Sequence, residues 1–404
     1  MALFRHAKSV QQPVEKTSDV IEVAPQLPAG PAKDELGRRS LEDQRDYLLS
    51  LIDPLPPFGM YLLDAWGMSV CEDIIAQTNL PEQDLAAVDG YAVRSAFAIP
   101  GARVEAHEVL AGMALPGATN SVISRSEAEV ANGLLTVSVP VPAGLNVRVA
   151  GSTMSEGTTL IKSGEVLDAR RSGLLAGAGF DRVMARPRPR VVVLDVVDSS
   201  VTSVSQRAIS EVNSHLIAAA LRADGAQVWR VDIPTGTDEQ LRDLVSDQLI
   251  RADLLVSAAG LGAEQLLSVV SEMGRVDSSK VALRPGGAIA FGLIGDDAIP
   301  MALLPYEPFA AYCTYQAFVR PIVAKLMGLP ERFATKQLKL SESVISTLGV
   351  SELLCARIDG EAVTPIAPST DANLRDLADA DGMILVPQQA DNLAVGKTVE
   401  VWPL

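Results

Sequence analysis

A chain of 404 residues, 48% hydrophobic and 21% charged, has material for several cores, since one domain usually takes about 100–200 residues. Thirty-four basic against fifty acidic residues leave a formal charge of −16, which repels nucleic-acid phosphates and anionic lipid, and no basic patch is concentrated anywhere in the sequence. Cys71, Cys313 and Cys355 are scattered without metal-ligand spacing, as are His6, His107 and His215, and no run approaches about eighteen apolar residues; the expectation is a soluble, cytoplasmic protein with no disulfide framework, no structural zinc and no membrane insertion.

Residues 1–39 mix Pro, Gln, Ser and both charges with little period, and read as a disordered N-terminal arm. From Ser40, SLEDQRDYLLSLIDPL has a polar start and apolar Leu41, Tyr47, Leu48, Leu51 and Ile52, which predicts an amphipathic helix closed by Pro54. Residues 79–150 are rich in Val, Gly and Pro, and runs such as LLTVSVPV and LNVRVAG predict short strands in a small β domain. Within it, Asp89-Gly90 reads as a turn in which the aspartate bonds nearby backbone and the glycine takes a positive φ. A helical element follows through ARRSGLLAGAGFDRV, and the breaker RPRPR at 186–190 marks a boundary.

Beyond Arg190 the pattern alternates between strand and helix: RVVVLDVV, SEVNSHLIAAALRADG, AQVWRVDI, DEQLRDLVSDQLI, DLLVSAAG, EQLLSVVSEMG. Val/Leu runs separated by helices of this length predict βαβ units and a parallel sheet covered on both faces. AIAFGLIG and IPMALLP add two strands before a helix through FAAYCTYQAFVRPIVAKLMG, and LKLSES, LLCARID, AVTPIA, MILVPQ and GKTVEVWPL predict a second β domain.

This order of elements, with DGYAV, NVRVAG, PRVVVL, ALRPGGAIAFG and LLPYEPFAAY, resembles the MoeA family of molybdopterin molybdenumtransferases, whose animal relative is the C-terminal domain of gephyrin. The resemblance implies a multidomain α/β protein: a helical dimerisation domain from residues 40–78 and 151–187, a small β domain at 79–150, a molybdopterin-binding-like α/β domain at 188–329 and a C-terminal β-barrel at 330–404. It further implies a homodimer that inserts molybdate into adenylated molybdopterin with the help of Mg²⁺.

Motif by motif, the chain departs from that family. It keeps Pro81, Asp84, Ala87, Asp89, Gly90, Tyr91 and Ala92 of the first signature but has Leu85, Ala86 and Val88 between them. Thr153 stands where a family aspartate belongs. The Ser-Thr-Gly-Asp-Glu-Leu turn becomes DVVDSS, in which Asp198 survives and Ser199 replaces the glutamate; the Ser-Gly-Gly loop becomes SAAGLG, with Asp253 ahead of it. The Lys-Pro-Gly-Lys-Pro signature becomes Arg284-Pro285-Gly286-Gly287-Ala288, with one cation left, and Pro-Gly-Asn-Pro becomes Pro305-Tyr306-Glu307-Pro308, with a new negative charge.

Asp89, Asp198, Asp253 and Arg284 are therefore the remaining candidates of a vestigial site, with no metal and no cofactor expected. The expectation is a non-catalytic, gephyrin-like dimeric scaffold that binds a short apolar peptide of a cytoplasmic partner, a tubulin-like division protein being a candidate by analogy. The peptide groove of the gephyrin relative maps to the first helix, where Asp43 matches an acidic position and the aromatic anchor falls at Asp46 or Tyr47, of which Tyr47 carries the ring. The alternative is an active molybdopterin molybdenumtransferase using Mg²⁺ and adenylated molybdopterin with molybdate.

Overall fold

The computed structural model describes residues 27–197, 204–234, 236–258, 263–329, 335–370 and 372–404. Strand Arg190–Val197 lies in the interior because Val191, Val192, Val193, Leu194 and Val196 point alternately to two covered faces. It pairs in parallel with Gln227–Pro234 and Leu254–Ser257, and the latter pairs in parallel with Ile299–Leu303. Helix Val204–Ala223 and the helix starting at Pro308 cover one face; Asp238–Leu249 and Ala263–Met273 cover the other.

The sheet is mixed rather than wholly parallel. Beyond Ile299–Leu303 come Ala288–Ile294 and Gly274–Val281, each antiparallel to its neighbour, and then Arg38–Arg39. Strand Gly274–Val281 is missing from the sequence reading because GRVDSSKV carries apolar side chains only at Val276 and Val281. Its polar centre is matched by a tertiary partner: buried Arg39 pairs with Asp277 and donates to Ser279 Oγ at 2.6 Å. The same contact corrects the reading of residues 1–39 as a disordered arm, since residues 27–39 are ordered and end in a strand paired to Lys280–Val281. Residues 1–26 lie outside the described residues.

Helix Leu41–Ser50 begins where Ser40 Oγ accepts the Asp43 N–H at 3.0 Å, with Glu42 and Asp43 favourably placed in the first turn. Its Leu41, Gln44, Tyr47 and Leu48 form one buried stripe that joins the sheet core, and Arg45 Nε donates to Ala317 O at 3.0 Å across to the facing helix. Residues 58–78 and 155–185 instead share a separate small core of Met60, Ile74, Ile161, Leu175 and Val183. Strands dominate this body: Phe58–Tyr61 pairs with Arg182–Ala185 and Ile74–Ile75 with Thr159–Ile161, beside the single helix Ala169–Gly177. Alternation of Met60 and Leu62 against Val183 and Ala185 explains why it is not helical throughout.

In the small β domain, strand Gly90–Val93 sits between His107–Val109 and Ser121–Ser124. At the C-terminus, Ser351–Asp359, Ala362–Pro365, Lys336–Leu340, Thr398–Pro403 and Gly382–Val386 follow one another round a closed five-stranded barrel, sealed by pairing of the first with the last. Leu338, Leu340, Leu354, Val363, Ile384 and Val401 fill it.

Candidate functional site

In an open α/β sheet, ligands bind at the carboxyl edge where successive connections depart in opposite directions. Strand Arg190–Val197 connects outward to Gln227–Pro234 over one face, and the chain returns over the other face to Leu254–Ser257 on its opposite side. The crevice therefore opens above the carboxyl ends of Arg190–Val197 and Leu254–Ser257.

A buried polar network forms its floor. Asp195, near the end of its strand, accepts from Ser214 Oγ at 2.9 Å, and the Arg230 guanidinium donates to Ser214 Oγ at 2.8 Å while lying 3.7 Å from Asp195. Ser257 closes its own strand by donating to Leu194 O at 3.1 Å, while its carbonyl accepts the Leu304 N–H at 2.7 Å. Asn213, 0% exposed, donates through Nδ2 to Tyr306 O at 2.7 Å and Ala258 O at 3.3 Å. One helix thus grips three strand ends with two adjacent side chains. The sequence reading missed all of these residues. The available signal was a lone charge, Asp195, inside an apolar strand, and a polar Asn213-Ser214 pair on a helix face otherwise buried.

Glu307, read from sequence as a charge obstructing an anion site, is a helix cap. Its carboxylate accepts the N–H groups of Phe309 at 3.1 Å and Ala310 at 2.7 Å, where the amino end of the helix offsets its charge.

The sequence-predicted residues are dispersed. Asp253 sits at the opposite, amino edge of the sheet, where it accepts the Arg190 N–H at 2.7 Å and two guanidinium hydrogen bonds, as a structural ion pair does. Arg284 is at the crevice edge: Lys280 pairs with Ala288 and Ala290 with Leu303, so the turn between residues 281 and 288 hangs beside the ends of the parallel strands. Its guanidinium, however, donates to Thr347 Oγ1 at 2.6 Å and to the Glu352 carboxylate of the barrel. Gly287 permits this turn, for its φ is +80° and a Cβ would lie 2.6 Å from the carbonyl oxygens of Val281 and Leu283. Asp198 lies outside the described residues.

Asp89 is exposed in the small β domain. Its Oδ1 accepts the Ala111 N–H at 2.8 Å and its carbonyl accepts the Arg125 N–H at 3.0 Å, so it ties together the ends of two neighbouring strands. Gly90 is extended rather than positive in φ; it is required because a Cβ would lie 2.0 Å from Ile123 O. Asp43 is exposed in the first turn of its helix, whereas Tyr47 is only 9% exposed. Its ring lies in the core beneath Arg39 and its hydroxyl donates to Pro28 O at 2.9 Å, which corrects the reading of Tyr47 as a surface anchor: the docking face it was assigned to is turned inward.

Residues 39–179 match the MoeA N-terminal region (domain I and II), and residues 337–404 match the MoeA C-terminal region (domain IV). Molybdopterin molybdenumtransferase 1 of Mycobacterium tuberculosis is 30% identical over 90% of this chain and 98% of its own length. Molybdopterin molybdenumtransferase 2 of the same organism is 26% identical over 91% of this chain and all of its own length. The crystal structure of the molybdopterin biosynthesis MoeA protein from Pyrococcus horikoshii superposes with a TM-score of 0.72 over 91% of this chain and 99% of that chain, at 23% identity, which speaks to the fold.

These findings overturn the expectation of a non-catalytic scaffold. Near-full-length similarity runs to proteins named as transferases, and nothing in it supports a gephyrin-like scaffold. Glu307 is a helix cap, and the crevice floor joins Asp195 and Ser257 of those motifs to Asn213, Ser214 and Arg230 outside them. With both terminal regions matched and the similarity continuous between them, the chain belongs to the MoeA family.

Proposed function

We propose that the protein is a molybdopterin molybdenumtransferase that inserts molybdate into adenylated molybdopterin. The observation that carries this reading is the 30% identity to a named transferase across 90% of this chain and 98% of the relative, which leaves no domain unmatched. The geometry supports it. Helices Val204–Ala223 and Ala263–Met273 begin at the carboxyl edge, so their positive ends favour an anionic ligand locally despite the net charge of −16. The Asp195, Ser214 and Arg230 network ties helix Val204–Ala223 to the central strand beneath that ligand.

Molybdate and the pterin are substrates in this reading. Among the described residues no group of three or more His, Cys, Asp or Glu side chains is arranged to hold a metal ion. Assembly as a homodimer belongs to the same proposal and is supported by the exposed Phe58, Tyr61, Leu63 and Trp66, an apolar group that a second copy would cover. Among the described residues no helix is long and apolar enough to cross a membrane.

The test is complementation. Expression in a bacterium lacking its own transferase should restore molybdoenzyme activity, and a stably expressed protein that restores none would count against the proposal.

A further inference from the structure

Asn213 has a geometry that its surroundings do not require for packing. It is wholly buried on helix Val204–Ala223, and its single carboxamide nitrogen serves two carbonyls, Tyr306 O at 2.7 Å and Ala258 O at 3.3 Å. Those carbonyls follow two neighbouring parallel strands: Ala258 comes directly after Leu254–Ser257, and Tyr306 comes after Leu304 and Pro305 beyond Ile299–Leu303. On the other side of the amide, Oδ1 is buried and has no hydrogen-bond partner among the described residues. Facing two acceptors fixes the amide orientation, because turning it over would set its oxygen against both carbonyls. A leucine would fill the same volume without leaving an unsatisfied oxygen, so packing alone does not account for asparagine here.

We propose that Asn213 is a positioning residue for the transferase reaction: it ties the segment after Leu254–Ser257, which borders the crevice, to the segment after the neighbouring strand Ile299–Leu303, and so holds in place the crevice edge against which the substrates align. The inference rests on the transferase reading. Adjacent Ser214 strengthens the clamp's anchorage, since its bond to Asp195 ties the same helix turn to the central strand. The Leu304 N–H donates to Ser257 O at 2.7 Å, a direct link between the two segments that reports on the clamp. Small displacements of reacting groups affect turnover more than binding when substrate contacts are otherwise retained.

The experiment compares the full-length wild type with Asn213→Leu and Asn213→Ser, using adenylated molybdopterin and molybdate in the presence of Mg²⁺, alongside amide hydrogen exchange of the same preparations. The serine variant creates no apolar surplus and covers the case in which the leucine variant does not fold. In a folded variant, kcat should fall at least about tenfold while KM for adenylated molybdopterin stays within about threefold, and exchange of the Leu304 amide should speed at least about tenfold. A wild-type kcat, or wild-type exchange at Leu304, in a folded variant overturns the inference. If the wild type itself shows no turnover, the transferase reading fails, and the exchange data alone then decide whether Asn213 holds the two segments together.

Discussion

The Arg284 guanidinium of the sheet's crevice edge donates to the Glu352 carboxylate of the barrel, which is only 2% exposed. Glu352 also accepts from Ser369 Oγ at 2.8 Å and from the Thr347 N–H at 3.1 Å. Arg284 is about one-third exposed, so its pairing is partly screened by solvent, but the carboxylate it faces is not. Arg284→Met should therefore lower stability by about 2 kcal/mol, as loss of a hydrogen bond to a buried charge does. Arg284→Met combined with Glu352→Leu should recover much of that loss, as measured by denaturant unfolding.

Glu352 also sets an acid limb to stability. Burial pushes its pKa up, but the hydrogen bonds from Arg284, Ser369 and Thr347 outweigh burial and leave it below its ordinary value of 4.5. Its folded pKa is thus lower than its unfolded one. The stabilisation is fully present above about pH 4.5 and is lost as pH falls through the folded value. Unfolding free energy of the wild type should drop more steeply below that pH than that of Glu352→Gln; parallel curves would contradict the assignment.

Tyr47 supports the core rather than a partner. Tyr47→Phe removes only the bond to Pro28 O and should cost about 1 kcal/mol, whereas Tyr47→Ala should cost about 3 kcal/mol. A Tyr47→Ala protein as stable as the wild type would place the ring outside the core.

Gly90 and Asp89 separate a steric from a hydrogen-bonding demand. Gly90→Ala sets a methyl group 2.0 Å from Ile123 O and should disrupt the three-stranded sheet, while Asp89→Ala loses one exposed acceptor and should cost about 1 kcal/mol. Amide exchange across residues 90–93 and 121–124 distinguishes the two outcomes.

Burial pushes the Cys355 thiol up to about 12, with Asp376 adding to the shift, and burial likewise raises Cys313. Both stay protonated and enclosed at neutral pH, and Cys71 alone is partly exposed. Native protein should react with a thiol reagent at one site, Cys71, and at all three cysteines only after denaturation.

What could be read from sequence follows a physical division. Strand Arg190–Val197 was legible because burial on both faces demands an unbroken apolar run. The barrel strands were legible because alternation and turn residues recur at short intervals. Strand Gly274–Val281 and residues 27–39 were not, since each is completed by the other: the charge on Arg39 makes sense only opposite Asp277, far away in sequence. The site was legible least. Motif comparison drew attention to Asp253 and Glu307, which form an ion pair at the wrong edge and a helix cap, and passed over Asn213 and Ser214, whose partners are backbone carbonyls and a strand aspartate that only folding brings near.

The transferase reading is tested most directly by one assay: purified full-length protein with adenylated molybdopterin, molybdate and Mg²⁺, run beside molybdopterin molybdenumtransferase 1 of Mycobacterium tuberculosis. Molybdate-dependent formation of molybdenum-loaded cofactor by this chain is the expected result. Absence of product from a folded preparation, under conditions in which the relative turns over, would contradict it.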